Sequence, residues 1–241
     1  MVANPTVRNS TTNAARPRRG RPPKLPEHIR RTVVLDAAVT RFAEVGRDVA
    51  TVDEIAAMCG VRKPSIYEMF GTKEQLYRAA VEQEEQALID FARDANDETA
   101  HLPMNERTRR RIDAALTRAE ARPQSFQLLQ RARTAPPQRD SADGAHLSPV
   151  VAVMADNYRR EAQAGGSPID ASAELLARLF FSLADQVIAM RLADDSWDRS
   201  ALVDFLAAFI EGGTAAVEPR TWRALEHRLP TSLPRASGSR E

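Results

Sequence analysis

A single cysteine, Cys59, stands in a chain of 241 residues. Alone it can close no intramolecular disulfide and build no four-cysteine zinc site. A disulfide scaffold is therefore excluded, and a cytoplasmic location is expected. Aromatic residues make up only 5%, so the core must come mainly from Ala, Leu, Val and Ile. Long apolar runs are missing too. The longest, Val150 to Ala155 and Phe205 to Ile210, are six residues, whereas a membrane span needs about 20. No membrane contact is expected. The first residues lack the apolar stretch of a signal peptide, so Asn9-Ser10-Thr11 reads as an unused glycosylation sequon. The four histidines, His28, His101, His146 and His227, lie far apart with no ligand spacing, so no metal is expected. There is no Gly-x-Ser-x-Gly elbow and no glycine-rich phosphate loop. No catalytic residue and no cofactor are assigned.

What is present is helical. Ala, Leu, Arg and Glu are abundant, and no stretch alternates apolar and polar residues with period two. The net charge of +1 hides an asymmetry: residues 1–31 carry eight Lys and Arg against one Glu, and the remainder is acidic. A basic arm on an acidic body implies a polyanionic partner at one end. Residues 1–27, rich in Pro and Arg, read as a disordered arm. From Thr32 a helical stripe (Val34, Ala37, Ala38, Phe42, Val45) runs to Gly46. A second helix opens at Thr51 with Glu54 three residues on, a capping-box pattern, and stops at Gly60. A short third helix begins near Lys63 and ends at Phe70-Gly71. Thr72 and Gln75 open a long fourth helix, with Leu76, Ala80, Ala87, Leu88 and Phe91 on its inner side. Five more are predicted over 105–121, 123–134, 149–164, 168–193 and 198–217. Residues 135–148 read as a loop, and 218–241 as a tail with at most one turn around Trp222.

Residues 51–70 carry the strongest pattern. Two short helices meet through Gly60, with Ala56 small enough for close approach and Val61 and Ile66 filling the angle. This is helix-turn-helix spacing, which presents the second helix to a DNA major groove. Val33 to Lys73 then resembles the N-terminal domain of the tetracycline-repressor (TetR) family of transcriptional regulators. The resemblance rests on Leu35-Asp36-Ala37-Ala38, Phe42-Ala43-Glu44, Thr51 to Ala56, Gly60-Val61, Ser65-Ile66-Tyr67 and Phe70 to Leu76. It implies an all-α chain: a three-helix DNA-binding domain within 28–88, then a helical effector-binding and dimerisation domain over 89–217. It also implies a homodimer on a palindromic operator, with repression relieved by a small molecule. Thr51 and Lys73 match positions that hold phosphates at helix N-termini, and Lys63, Ser65 and Tyr67 match positions that contact DNA. Pro64 departs from the small residue usual there and removes one backbone donor. Glu68 points away from DNA or accepts from cytosine; Met69 and Cys59 read as core.

Arg16 to Lys24, centred on Gly20-Arg21-Pro22, resembles an AT-hook. Arg18, Arg19, Arg21 and Lys24 suit an A·T-rich minor groove, or the arm merely solubilises. The apolar stripe Leu202, Phe205, Leu206, Phe209 and Ile210, with Leu179, Leu183 and Val187 on the preceding helix, is assigned to a four-helix interface with a second copy. Arg109-Arg110-Arg111, Arg131 and Arg133 form a solvated face or line an anionic pocket, the first being favoured. An architectural A·T-rich DNA-binding protein is the alternative reading of the whole chain.

Overall fold

The computed structural model describes residues 26–134, 149–166 and 169–228. The arm cations Arg18, Arg19, Arg21 and Lys24 and the loop expected at 135–148 lie outside the described residues. Ten helices and no strand occur among them. The all-α expectation holds, with boundaries close to those read from the sequence.

The first helix, α1 (Glu27–Val49), continues past Gly46, but that glycine sits at φ +81° and breaks the helical trace. Only a residue without Cβ takes this conformation cheaply. Helix α2 (Val52–Cys59) starts with the expected capping box: Thr51 Oγ1 accepts from the Glu54 N–H, and the Thr51 N–H donates to the Glu54 carboxylate. It ends at Gly60, left-handed at φ +66°. Helix α3 (Lys63–Phe70) carries Pro64 in its first turn, where a missing N–H costs no hydrogen bond. Helix α4 (Lys73–Thr99) is capped by Thr72, whose side chain accepts from the Gln75 N–H.

These four helices share one core. Val34, Ala38 and Phe42 of α1, Ile55 of α2, Ile66 of α3 and Leu76 and Ala80 of α4 are sealed from water. Phe42 meets the Tyr77 ring edge-on, with centroids 5.1 Å apart. Met69 and Cys59 pack against this core as read. One member comes from far along the chain: Leu128, fully buried, on α6 (Pro123–Thr134).

The body holds α5 (Met104–Ala121), α6, α7 (Pro149–Ala164), α8 (Ser172–Ala193) and α9 (Arg199–Ala216), with the lower half of α4. Ile112 and Leu116 of α5 pack on Ile188 of α8 and on Val203 and Leu206 of α9. The sequence assignment of α9 needs correction here. Leu202 and Leu206 are 9% and 2% exposed, so they fill the protomer's own core and cannot meet a second copy. Leu183, Val187 and Ile210 also lean on that core. The outward residues are Phe205, Phe209, Leu179 and Met190, roughly half exposed. A helix periodicity gives the width of an apolar stripe but not how much of it one neighbour covers.

The tail reading is also corrected. Residues Pro219–Arg228 form a full helix, α10. Its Glu226 accepts from the backbone N–H groups of Asp170, Ala171 and Ser172 and from the Ser172 hydroxyl. A carboxylate there meets both the orphan donors and the positive end of α8. Nothing local in 218–228 announces a partner some 55 residues earlier.

Candidate nucleic-acid interface and internal cavity

Helices α2 and α3 are held by contacts that leave one side of α3 bare. Ile66 and Phe70 face inward, and Arg62, Pro64, Tyr67 and Glu68 face solvent. Tyr67 is 40% exposed, with its ring outside the core. Ser65 and Lys63 are half-buried on the flank. The Lys63 ammonium lies 2.7 Å from an Asp53 oxygen on α2, which raises its pKa. A DNA phosphate would have to compete with that carboxylate.

The structure brings Thr51, Lys63, Pro64, Ser65, Tyr67 and Lys73 to one N-terminal unit but gives Thr51 and Lys73 duties inside the protein. The Thr51 hydroxyl caps α2 and donates to Glu54 at 2.8 Å. The Lys73 ammonium donates to the carbonyls of Arg47, Asp48 and Ala50 at 2.9, 3.3 and 3.1 Å. All three of its protons are thus committed to the carbonyl groups at the end of α1, so its ammonium is not free for phosphate in this conformation. It clamps the α1–α2 turn where Gly46 breaks the helix. A motif position reads the same from sequence whether its cation faces outward or inward.

Three cations support this unit in ways that sequence reasoning did not assign. Arg41 donates to Glu54 at 2.6 Å. Together with Thr51 it holds the Glu54 carboxyl down at about 2, below its ordinary 4.5. The Arg31 guanidinium lies 4.4 Å from the Phe70 ring centroid and donates to the Met69 carbonyl, pinning the end of α3 to α1. Arg131 on α6 reaches the Glu44 carbonyl.

A second concave feature lies in the body. A cavity of about 440 Å³ opens between α4, α5, α6, α7, α8 and α9. That size suits a small organic molecule. Its walls are mainly apolar, with Phe91, Phe126, Leu129, Met154, Phe180 and Phe181 prominent. The arginine cluster divides across this boundary. Arg109 and Arg110 are exposed and paired with Asp204 and Glu106, as a solvated face would be. Arg111 and Arg133 instead line the cavity. Arg111 is paired with Glu161 at 3.0 Å and Arg133 with Asp185 at 2.6 Å. Burial would raise the Glu161 carboxyl, yet hydrogen bonds from Arg107, Asn157 and Arg111 and the charge of Arg111 hold it below its ordinary range. For Asp185 burial outweighs Arg133, and its pKa is raised.

The wall between cavity and α4 contains an unforeseen ion pair. Glu84 is fully buried on α4. It accepts from Arg122 at 3.0 Å and from the Ser125 hydroxyl, and both donors line the cavity. Glu84 stands four residues from both Ala80 and Leu88, on the inner stripe of α4, a signal in the periodicity that sequence reasoning passed over. Among the described residues no group of three His, Cys, Asp or Glu could hold a metal, and no single helix is long and apolar enough to cross a membrane.

Comparison with known proteins bears on both features. Residues 34–80 match the family model described as bacterial regulatory proteins, tetR family. Over 58 residues, 24% of this chain and 31% of the relative, the chain is 38% identical to a negative transcriptional regulator of the biofilm operon of Staphylococcus epidermidis, IcaR. Over 106 residues, 44% of this chain and 48% of the relative, it is 32% identical to the transcriptional activator FasR of Mycolicibacterium smegmatis. The chain thus spans about a third of one curated relative and about half of the other. Beyond those segments the likeness is one of fold. A TetR-like transcriptional regulator from Rhodococcus sp. RHA1 superposes with a TM-score of 0.59 at 24% identity, covering 80% of this chain and all of that one.

Proposed function

We propose that this chain, whose N-terminal helix-turn-helix unit matches the TetR family of bacterial transcriptional regulators, binds a palindromic operator as a homodimer and lets go when a small molecule fills its cavity. The bare side of α3, with Tyr67, Pro64 and the flanking Lys63 and Ser65, reads the major groove. The N-terminus of α2, capped by Thr51, faces a phosphate. The outward residues Leu179, Phe205 and Phe209 meet their equivalents in the second copy. The basic arm with Arg18, Arg19, Arg21 and Lys24 adds contacts to the flanking minor groove. The protein acts in the cytoplasm as a repressor, and no catalytic reaction is assigned to it.

One observation carries this reading: α6 belongs to both halves. It lines the cavity with Ser125, Phe126 and Leu129, and it buries Leu128 in the core of the DNA-binding unit. Arg131, on the same helix, holds the Glu44 carbonyl near the break at Gly46. A ligand that prefers a shifted α6 therefore biases the orientation of α1, and with it the spacing of the two reading heads. Such a ligand must bind the two states with different affinity, or nothing shifts.

The test is selection of bound fragments from random DNA, followed by footprinting. A defined palindrome, lost when Tyr67 is replaced by Ala while dimerisation persists, supports the regulator. A diffuse A·T-rich pattern that depends on the arm and ignores Tyr67 would instead favour the architectural alternative.

A further inference from the structure

The cavity's arginines do not all find partners, and the exception among them identifies the ligand's chemistry; this step rests on reading the cavity as the effector site. Four arginines line it. Arg111 is paired with Glu161, Arg122 with Glu84, and Arg133 with Asp185. Arg118 has no ion pair and no hydrogen bond among the described residues. Its guanidinium lies 5.3 Å from the Phe91 ring centroid, and its Nη2 is buried without an acceptor. Glu84, whose charge reaches it, makes no hydrogen bond with it among the described residues and accepts instead from Gln83, Arg122 and Ser125.

A second donor on the same lining is also unanswered. Asn96, on α4, is only 7% exposed, and its Nδ2 has no acceptor. Buried donors without acceptors are rare in folded proteins because each forfeits its hydration. Two on one cavity call for a ligand that brings oxygen. One acceptor is unanswered as well: Oε1 of Glu211 on α9. The choice between an acid and an amine follows from what each side chain can do unaided. A carboxyl group can take up a proton and become neutral, but a guanidinium cannot shed one. The obligatory charge is therefore that of Arg118, and its complement is an anion.

We propose that the effector is an amphiphilic monocarboxylate, its carboxylate held by the Arg118 guanidinium and its apolar body lying along Phe126, Met154 and Phe180. A planar fork matches two carboxylate oxygens at once. The register of α4 against α5 fixes the direction. Glu84 meets Arg122 and Thr99 meets Arg111, so Arg118 and Asn96 stand at different levels, about 6 to 12 Å apart along α4 at 1.5 Å per residue. The body is thus extended, and its far end comes to rest near Asn96 and Glu211.

Binding of straight-chain alkanoates of 8 to 16 carbons, with the matching alkanols and alkylamines as controls, is measured by calorimetry on the full chain. At least one alkanoate binds, and its alkanol binds ten-fold or more weakly. Arg118→Gln lowers alkanoate affinity by at least about thirty-fold, the range for removing one member of a buried charge pair, and leaves alkanol affinity unchanged. Arg118→Lys, which keeps the charge but not the fork, gives an intermediate loss and covers the case in which the glutamine variant does not fold. Equal binding of acid and alcohol, tighter binding of the amine, full alkanoate affinity in both variants, or no binding of any chain length overturns the proposal. Operator release is scored separately. An acid that binds through Arg118 without releasing DNA defeats the effector reading alone, and release by a ligand indifferent to Arg118 defeats the carboxylate assignment alone.

Discussion

At the scale of single residues, the DNA-binding unit is held by charged side chains that a motif comparison assigns to DNA. Lys73 is the clearest case, with its three carbonyl contacts across the α1–α2 turn. Lys73→Met should lower stability by about 1–3 kcal/mol, as for a charged hydrogen-bond donor removed from part-buried carbonyls; urea unfolding without DNA checks it. Unchanged stability would return Lys73 to the phosphate role. Glu54 gives a second prediction, in pH. Its carboxyl is held near 2 in the folded protein, against an ordinary 4.5, by Arg41 and then Thr51. A group whose pKa is lowered by folding stabilises above its unfolded value, and that stabilisation drains away as pH falls from about 4.5 toward 2. Glu54→Gln should flatten the acid limb of a stability–pH curve in that window and leave its shape near neutrality intact. The candidate site was legible to this depth: residue types and spacing located the Thr51–Glu54 box, and the family resemblance pointed to Tyr67 and Lys63, which lie on the open side and the flank of α3. The partners Arg41, Asp53 and the three carbonyls, which lie 10 to 26 residues away, were not.

At the scale of elements, periodicity and caps delivered nine helices to within a few residues. The helix starts at Thr51 and Thr72 and the stop at Gly60 are set by neighbouring atoms, which is why sequence reveals them. Two elements were misread for one shared reason. The inward side of α9 is decided by α5, and the helix over 219–228 by its dock on α8; both are long-range facts. The helix α6 yields the sharpest prediction. Leu128 is fully buried in the core of the DNA-binding unit, so Leu128→Ala should cost about 2–5 kcal/mol. Denaturation followed separately by the Tyr67 environment and by overall helicity checks where the cost falls. Both probes should shift together. A loss confined to helicity would mean that α6 stabilises only the body.

At the scale of the whole molecule, the proposed dimer would meet through the outward faces of α8 and α9. Phe205 and Phe209 are 65% and 55% exposed, with rings stacked 6.1 Å apart. Neither belongs to the protomer's core, so Phe205→Asp paired with Phe209→Asp should yield a folded monomer, seen as halved mass in sedimentation with native helicity. A dimer that survives both changes would move the interface elsewhere. The siting of Leu128 reaches further than stability. A reading head that ends in sequence near residue 80 but completes its interior with a side chain from residue 128 is not a detachable module. Grafted onto another regulator's body, residues 26–100 would arrive with an open hole where Leu128 belongs. Such chimaeras should work only when the recipient supplies a leucine-sized plug at the matching turn of its own sixth helix, so heads and bodies in such a lineage are free to diverge at their surfaces but must keep that one joint in step.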